Sequence, residues 1–530
     1  MPPVSPSSSR RATLCARLVI VASALWVGWA GLTWGTWSAG SADAHGYISQ
    51  AALWLKGDLI VQQPMATTVP WEHAHWTFAP LGYRPGVEAG TLVPVYPAGL
   101  PLVMAAAQAV GGPQAVFLVV PLFGVLAVLA TARLASLLAS PPAGAVAALA
   151  LASSPTFLFS LMWPMSDVPA SALWVIALVF AAGSGVASAG GAGAAMALAV
   201  LTRPNLVLVA VAPAVYLLFR AVTAPPDRRG HAWVRLGLAC ALAAVGCLGV
   251  AALHTWLYGS PLSTGYGHAS EIFDVAHLPG TASGFVLRPL ALEPALVLLC
   301  LAGLFWELRA GASRRAIAWM AAAALALVLV SYAFYVSFPE WWYVRLLLPA
   351  WPAAAAFAGA AAVRLSGLAP GPWRAVVLTA LVAATVSMGL REAVHRGAFT
   401  LRDAEARYEH VARFARRALP DHAIFFTFQQ SGALSYYAER PIIRFDVLPP
   451  AAFNDAISKM RFRGYRPYFV IEDHEEVVFK ARFRPVSSLG YLDWAPMAEL
   501  DGPVRVRIYD PADRDKMRRN EGYPTYRVRP

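Results

Sequence analysis

Twelve carboxylates are spread through residues 1–392, and a few of them stand where an acid or base could act. Asp43 follows a long apolar run, and apolar residues then recur at 47, 48, 51, 52 and 55 with the period of a helix. Gly57 is a suitable stop, so Asp43 is expected at the N-terminal end of a surface-lying helix. A carboxylate there either stabilises the helix end or serves as a general base, and the residues alone leave both readings open. Asp167, in Trp163-Pro164-Met165-Ser166-Asp167-Val168-Pro169, divides the same way between a helix cap and a second carboxylate facing Asp43. Arg345 follows Trp341-Trp342-Tyr343-Val344. It either snorkels out of an interfacial aromatic belt or clamps a phosphate in a partly dry site. Arg84 and Arg203 are lesser candidates for the same task. Glu72-His73-Ala74-His75 is a possible metal set. On an extended segment both rings point one way and, with Glu72 or Asp43, would offer a divalent metal its ligands, although a headgroup-level loop rich in aromatics explains the same residues.

The elements that must position these groups are membrane helices. The 530 residues are 58% hydrophobic and 14% charged, against about 25% charged in soluble domains. The charge is uneven: residues 1–392 hold 19 Lys/Arg and 12 Asp/Glu, and residues 393–530 hold 23 and 18. That pattern excludes a cytosolic enzyme, a disordered chain and a disulfide scaffold. Apolar stretches long enough to span centre on 18–37, 113–132, 143–162, 168–187, 234–256, 289–306, 316–337, 344–363 and 374–391. The stretch 190–219 is broken by Thr202-Arg203-Pro204-Asn205 and reads as two short passes, because Pro204 removes a backbone donor and Arg203 is costly in lipid. About eleven passes result. With residues 1–15 in the cytoplasm, the short inside segments hold thirteen arginines and the outer ones five Lys/Arg, as the positive-inside rule requires. The net charge of +12 therefore follows from topology and is no argument for nucleic acid. A cleaved leader is the weaker reading of the N-terminus, since the first apolar run is longer than a signal core.

On this layout most carboxylates of the membrane part, Asp43 and Asp167 among them, collect at the outer face. Charges at that level suit chemistry on a lipid-linked substrate better than a transport path, which would place them at mid-depth. Tyr96-Pro97-Ala98-Gly99-Leu100-Pro101 opens a helix too short to span, ending at Gly111-Gly112-Pro113. Residues 393–530 form a second domain on the outside. Arg402–Ala418 is amphipathic, 451–463 is helical up to Gly464, and strand-like runs fall at 423–428, 468–471 and 504–509. A small α/β domain with a parallel or mixed sheet is expected. Its Glu472-Asp473-His474-Glu475-Glu476 resembles a metal cluster, but a strand end running into an acidic helix start accounts for it.

Four stretches in order, together with the topology, resemble the GT-C class of integral-membrane glycosyltransferases. They are Asp43-x-x-x-Tyr47-x-x-x-Ala51 closed by Gly57, Tyr96-Pro97-x-Gly99-x-Pro101, Leu201-Thr202-Arg203-Pro204, and Arg345-x-x-x-Pro349-x-x-Pro352. The likeness is to the bacterial branch related to protein O-mannosyltransferases and lipid A aminoarabinose transferases, and it spans most of 16–365. Tyr258-Gly259-Ser260-Pro261 through Tyr266 also looks similar to this group. The resemblance implies a bacterial inner-membrane protein. It implies a sugar donor on polyprenyl phosphate and an outer-face acceptor that is a glycan, lipid or protein. It makes Asp43 the general base, with Asp167 orienting the acceptor or holding a metal, Arg345 beside the carrier phosphate, and Tyr96 and Tyr266 lining the sugar pocket. One base and one face of attack imply inversion. The chain has Ala44 where many relatives carry a second acidic residue, which leaves metal use open. The competing class is a transporter or flippase of lipid-linked sugars, which the broken stretch 190–219 would suit.

Overall fold

The computed structural model describes residues 6–336 and 338–528; the first five residues of the expected N-terminal segment 1–15 lie outside them. Among the described residues seven helices are long and apolar enough to cross a membrane, and nine if each of two bent pairs counts as one span. The bent pairs are Pro141–Ser153 with Pro155–Leu161, and Val275–Leu292 with Pro294–Glu307. The expected passes at 168–187 and at the start of 190–219 fall on apolar helices of 16 and 17 residues, Asp167–Ala182 and Val186–Thr202. Pro204 does break the long apolar stretch, and a 3-10 turn, Pro204–Ala210, starts the next helix. Alanine and glycine at the contacts let these helices pack closely. A Cβ on Gly303 would lie 2.1 Å from the Phe357 carbonyl oxygen, so nothing larger fits there.

Between the first helix, Pro6–Trp34, and the second span lies the outer layer that carries the site. The helix Ala42–Lys56 runs as its apolar period requires and stops at Gly57, whose φ of 75° is a left-handed cap that glycine adopts freely. A three-stranded antiparallel sheet follows, in the order Val61–Gln62, Thr91–Pro94, Tyr83–Pro85. The short helix Gly99–Gly111 comes next, in the expected place.

The C-terminal domain is a six-stranded mixed sheet flanked by helices. Ala423–Thr427 lies next to one edge, parallel on one side to the edge strand Ile442–Arg444 and on the other to Arg466–Glu472. Val506–Tyr509 and Ala498–Leu500 then add antiparallel, and Tyr526–Val528 closes the edge parallel to Ala498–Leu500. This domain is not an appendage. Trp71, Ala74 and Phe78 of the outer loop share one buried core with Ile424, Phe426, Phe445 and Phe469 of the sheet. The Ala39 backbone N–H donates to Tyr437 Oη (2.8 Å) and that of Leu81 to Ser431 Oγ (3.1 Å), which ties the domain to both sides of the Asp43 helix.

The acidic run 472–476 is a capping box. Glu475 accepts from the Glu472 backbone N–H (2.9 Å) at the start of the helix Asp473–Phe483, and it also accepts from the Gln429 N–H (2.8 Å). Burial pushes the Glu475 carboxyl up to about 8, and burial pushes Glu405 up to about 7. The folded domain therefore keeps protons that the unfolded chain gives up above its ordinary value of 4.5. Both groups favour folding fully below that value, and the contribution is lost as pH rises through 7 and 8. The thermal midpoint of the domain is expected to fall by roughly 5 °C or more between pH 5.5 and 8.5, and Glu475→Gln should flatten that slope in a scan of both proteins.

Candidate active site

Two arginines and two aspartates meet at the end of the membrane helices that faces the C-terminal domain. Asp43 stands in the first turn of Ala42–Lys56, but it does not cap that helix. Its Oδ1 accepts from Tyr96 Oη (2.5 Å), and its Oδ2 accepts from Arg345 Nη2 (3.1 Å). Arg345 also donates from Nη1 to Asp167 Oδ2 (3.2 Å), and Arg203 donates from Nη2 to Asp167 Oδ1 (2.5 Å). The result is an alternating chain, Asp43–Arg345–Asp167–Arg203, in which each internal charge lies between two of opposite sign. Asp167 is the most enclosed member, its side chain 1% exposed against 30% for Asp43. Such a site is stable only if each buried charge is paired and hydrogen-bonded, which is the case here.

Each partner is delivered by a local break in regular structure. Arg203 ends the helix Val186–Thr202 just before Pro204, and its other nitrogens donate to Ser166 Oγ (3.2 Å) and Tyr332 Oη (3.0 Å). Arg345 lies on the 3-10 helix Trp341–Ala350, which runs directly into the α-helix Trp351–Leu368. Tyr96 reaches Asp43 across Gly46, where a Cβ would come within 2.2 Å of the Tyr96 ring. Tyr47 stacks on Tyr96 at 4.6 Å and donates to Ser166 Oγ (2.8 Å). Burial and the adjacent Asp43 carboxylate hold the Tyr96 phenol well above its ordinary value, so it stays protonated and donates.

The charge chain separates two cavities. The larger, about 580 Å3, is lined by Asp43, Asp167 and Arg345, by the rings of Phe159, Trp163, Trp341, Trp342 and Tyr343, and by Gln429 of the C-terminal domain. The smaller, about 130 Å3, lies on the Arg203 side among Tyr47, Tyr258, Tyr266, Tyr332 and Tyr335. Asp43 thus opens on the cavity walled by aromatic rings, while Arg203 lines the tyrosine-rich one.

Asp43, Asp167, Arg345, Arg203 and Tyr96 are brought together, and Tyr266 lines the smaller cavity. Arg84 is elsewhere. Its Nη1 donates to the Thr264 carbonyl (2.8 Å), so it fastens the 259–268 loop behind the cavity wall. The His73/His75 pair does not form on an extended segment. His73 has left-handed backbone and precedes a single helical turn, Ala74–Thr77, that contains His75. Among the described residues no group of three His, Cys, Asp or Glu side chains could hold a metal. The space between Asp43 and Asp167, where a divalent ion would bridge two carboxylates, is filled by the Arg345 guanidinium. Incubation with a chelator is therefore expected to leave turnover within about twofold of the untreated protein. Tyr332 and Gln429 line the two cavities without any sequence signal beyond a polar residue in an apolar neighbourhood.

No protein-family model matches the chain, and no curated protein sequence matches it. Solved structures do. ArnT from Cupriavidus metallidurans bound to undecaprenyl phosphate superposes with a TM-score of 0.57 at 16% identity, covering 93% of this chain and 97% of that one. The oligosaccharyltransferase AglB from Archaeoglobus fulgidus, in complex with an inhibitory peptide and a dolichol-phosphate, gives a TM-score of 0.57 at 13% identity over 91% of this chain and 72% of that one. Over nearly its whole length, membrane helices and C-terminal domain together, the chain therefore has the fold of the GT-C membrane proteins.

Proposed function

We propose that the protein is a membrane glycosyltransferase that moves a sugar from a polyprenyl-phosphate carrier to an acceptor at the outer face. The observation that carries this reading is the Asp43–Arg345–Asp167–Arg203 chain set between two cavities. An acceptor hydroxyl in the aromatic cavity attacks the anomeric carbon, and its proton passes to Asp43. The bond from that carbon to the phosphate oxygen breaks, and its electron pair leaves on the carrier phosphate. The leaving group is a phosphate diester becoming a monoester, so it needs positive charge rather than an acid, and Arg345 and Arg203 supply it. Asp167 keeps both guanidinium groups in place. One base and a single displacement give inversion at the anomeric carbon. Aromatic rings such as Trp163 and Trp341 suit stacking against a sugar ring, whose axial C–H bonds meet their faces. The ligands named for the two superposed structures, undecaprenyl phosphate and dolichol-phosphate, support a polyprenyl carrier. The charge distribution supports a cytoplasmic N-terminus and a C-terminal domain on the other side, and the family resemblance supports a bacterial inner membrane.

The test is release of free polyprenyl phosphate by purified protein in nanodiscs, offered a panel of polyprenyl-phosphate sugars with candidate glycan and lipid acceptors. Release that requires an acceptor supports the reading. Movement of the labelled carrier across a sealed bilayer without release would replace it with a flippase.

A further inference from the structure

Glu293 is a buried carboxylate with no cation beside it among the described residues. Its Oε1 accepts three side-chain hydrogen bonds, from Ser154 Oγ (3.0 Å), Thr156 Oγ1 (2.7 Å) and Trp351 Nε1 (2.9 Å). The donors come from two segments far from each other and from Glu293 in the chain, Ser154 with Thr156 on one and Trp351 on the other, and Ser154, Glu293 and Trp351 each immediately precede a proline. At Ser154-Pro155 one helix ends and Pro155–Leu161 leaves it at a bend of 61°. At Glu293-Pro294 a bend of 106° starts Pro294–Glu307. At Trp351-Pro352 the 3-10 helix Trp341–Ala350 becomes the helix Trp351–Leu368. A residue before proline is pushed out of the α region, as Ser154 and Glu293 are here, so a kink at each is expected, whereas Trp351 keeps α backbone. The sequence alone does not bring the two kinks and the 3-10 junction at Trp351 together; one carboxylate oxygen does. The N-terminal end of the helix Pro294–Glu307 favours an anion at this point. Ser154 Oγ also accepts from the Phe157 N–H (3.2 Å), so its donated hydrogen is left for Glu293.

Two of the three segments run from this point to the site. Pro155–Leu161 brings Phe159 and Ser160 to the wall of the larger cavity and leads on to Asp167. Trp341–Ala350 carries Trp341, Trp342, Tyr343 and Arg345 to the same cavity, and Phe159 and Trp341 meet edge to face at 4.7 Å. We propose that Glu293 is a positioning residue that pins the shared base of these two segments and so fixes the separation of Arg345 from Asp167. It touches neither cavity and acts only through Ser154, Thr156 and Trp351. The structural part of this proposal stands without an activity; its kinetic part rests on the glycosyl-transfer reading above.

The experiment compares full-length wild type, Glu293→Gln, Glu293→Ala and Trp351→Phe in nanodiscs by hydrogen–deuterium exchange and by polyprenyl phosphate release. Glu293→Ala orphans three buried donors. It is expected to raise exchange about tenfold in peptides covering 154–167 and 341–352, while 119–138 and the C-terminal sheet keep wild-type rates. Glu293→Gln keeps an acceptor oxygen and should restore protection in both segments. Trp351→Phe should loosen 341–352 alone. In release assays Glu293→Ala is expected to lower kcat more than about tenfold with KM for the donor within about threefold, since the reacting groups and not the binding surface are displaced. Unchanged exchange in either segment of Glu293→Ala, or loosening spread evenly over all the membrane helices, overturns the proposal. Absence of release by wild type, with the paired loosening present, defeats the glycosyl-transfer reading and leaves the pinning role standing.

Discussion

Asp43→Asn is expected to lower release of polyprenyl phosphate by about 10³-fold while the protein keeps its fold, since a positioned general base contributes about 10²–10⁴. The substitution preserves shape. An amide oxygen still accepts from Tyr96, and Arg345 keeps its second partner in Asp167 (3.2 Å). Asp43 is also the more exposed of the two aspartates, so removing its charge leaves Arg345 with access to water as well as to Asp167. The loss should therefore fall on turnover and not on stability. The measurements are initial rate at saturating donor, thermal midpoint and monodispersity of each purified protein. A variant that folds like wild type and retains more than about a tenth of its rate removes Asp43 from the role of base, because no other carboxylate opens on the larger cavity except Asp167, which two guanidinium groups hold.

Much of the site could be read from the sequence because membrane topology does half of the work. Once the helices are counted and oriented, residues at their outer ends are neighbours whatever their spacing in the chain. Asp43, Asp167, Arg203 and Arg345 stand out that way, at positions where a charged residue interrupts or ends an apolar run, whereas Tyr96 enters only through the family resemblance. The helix Ala42–Lys56 was legible for a different reason: its apolar period and Gly57 are local signals. What local signals cannot carry is a partner. Arg84 looks equivalent to Arg345 along the chain, and only the fold shows that one meets carbonyls of a loop and the other two carboxylates. Glu293 sits inside an expected span and is hidden there, since its meaning depends on Ser154, Thr156 and Trp351 arriving from elsewhere. His73 and His75 failed for the opposite reason, a local assumption of extended backbone that a single helical turn contradicts. In the C-terminal domain the helices and central strands were visible, while Ile442–Arg444, Ala498–Leu500 and Tyr526–Val528 are too short to show a pattern and exist because a longer strand lies beside each or beyond it.

Asp167→Leu is expected to have the largest effect on the protein itself. Arg203 and Arg345 would then share only Asp43, which bonds Arg345, and Arg203 would be left buried with two neutral hydroxyl partners, Ser166 and Tyr332. Removing one member of a buried ion pair typically costs about 3–5 kcal/mol, because the remaining charge stays desolvated. That should appear as a fall of about 3–6 °C in thermal midpoint, or as failure to accumulate in the membrane. The informative comparison is the double variant Asp167→Leu with Arg203→Leu. It restores neutrality, since one aspartate and one arginine remain, as two of each did before. If the pair exists to balance itself, stability should return to within about 1 °C of wild type, because two apolar side chains of similar volume often replace a buried pair at little cost. Turnover should not return with it. With one guanidinium instead of two beside the leaving phosphate, and Arg345 no longer held from the Asp167 side, kcat is expected to remain about 10²-fold or more below wild type. Recovery of both stability and rate would make the Asp167–Arg203 pair a structural strut, and recovery of neither would mean that Ser166, Tyr332 and the helix break at Pro204 depend on Arg203 itself. Only the split between the two readouts assigns the pair to the chemistry, for a strut needs neutrality and a transition state needs charge.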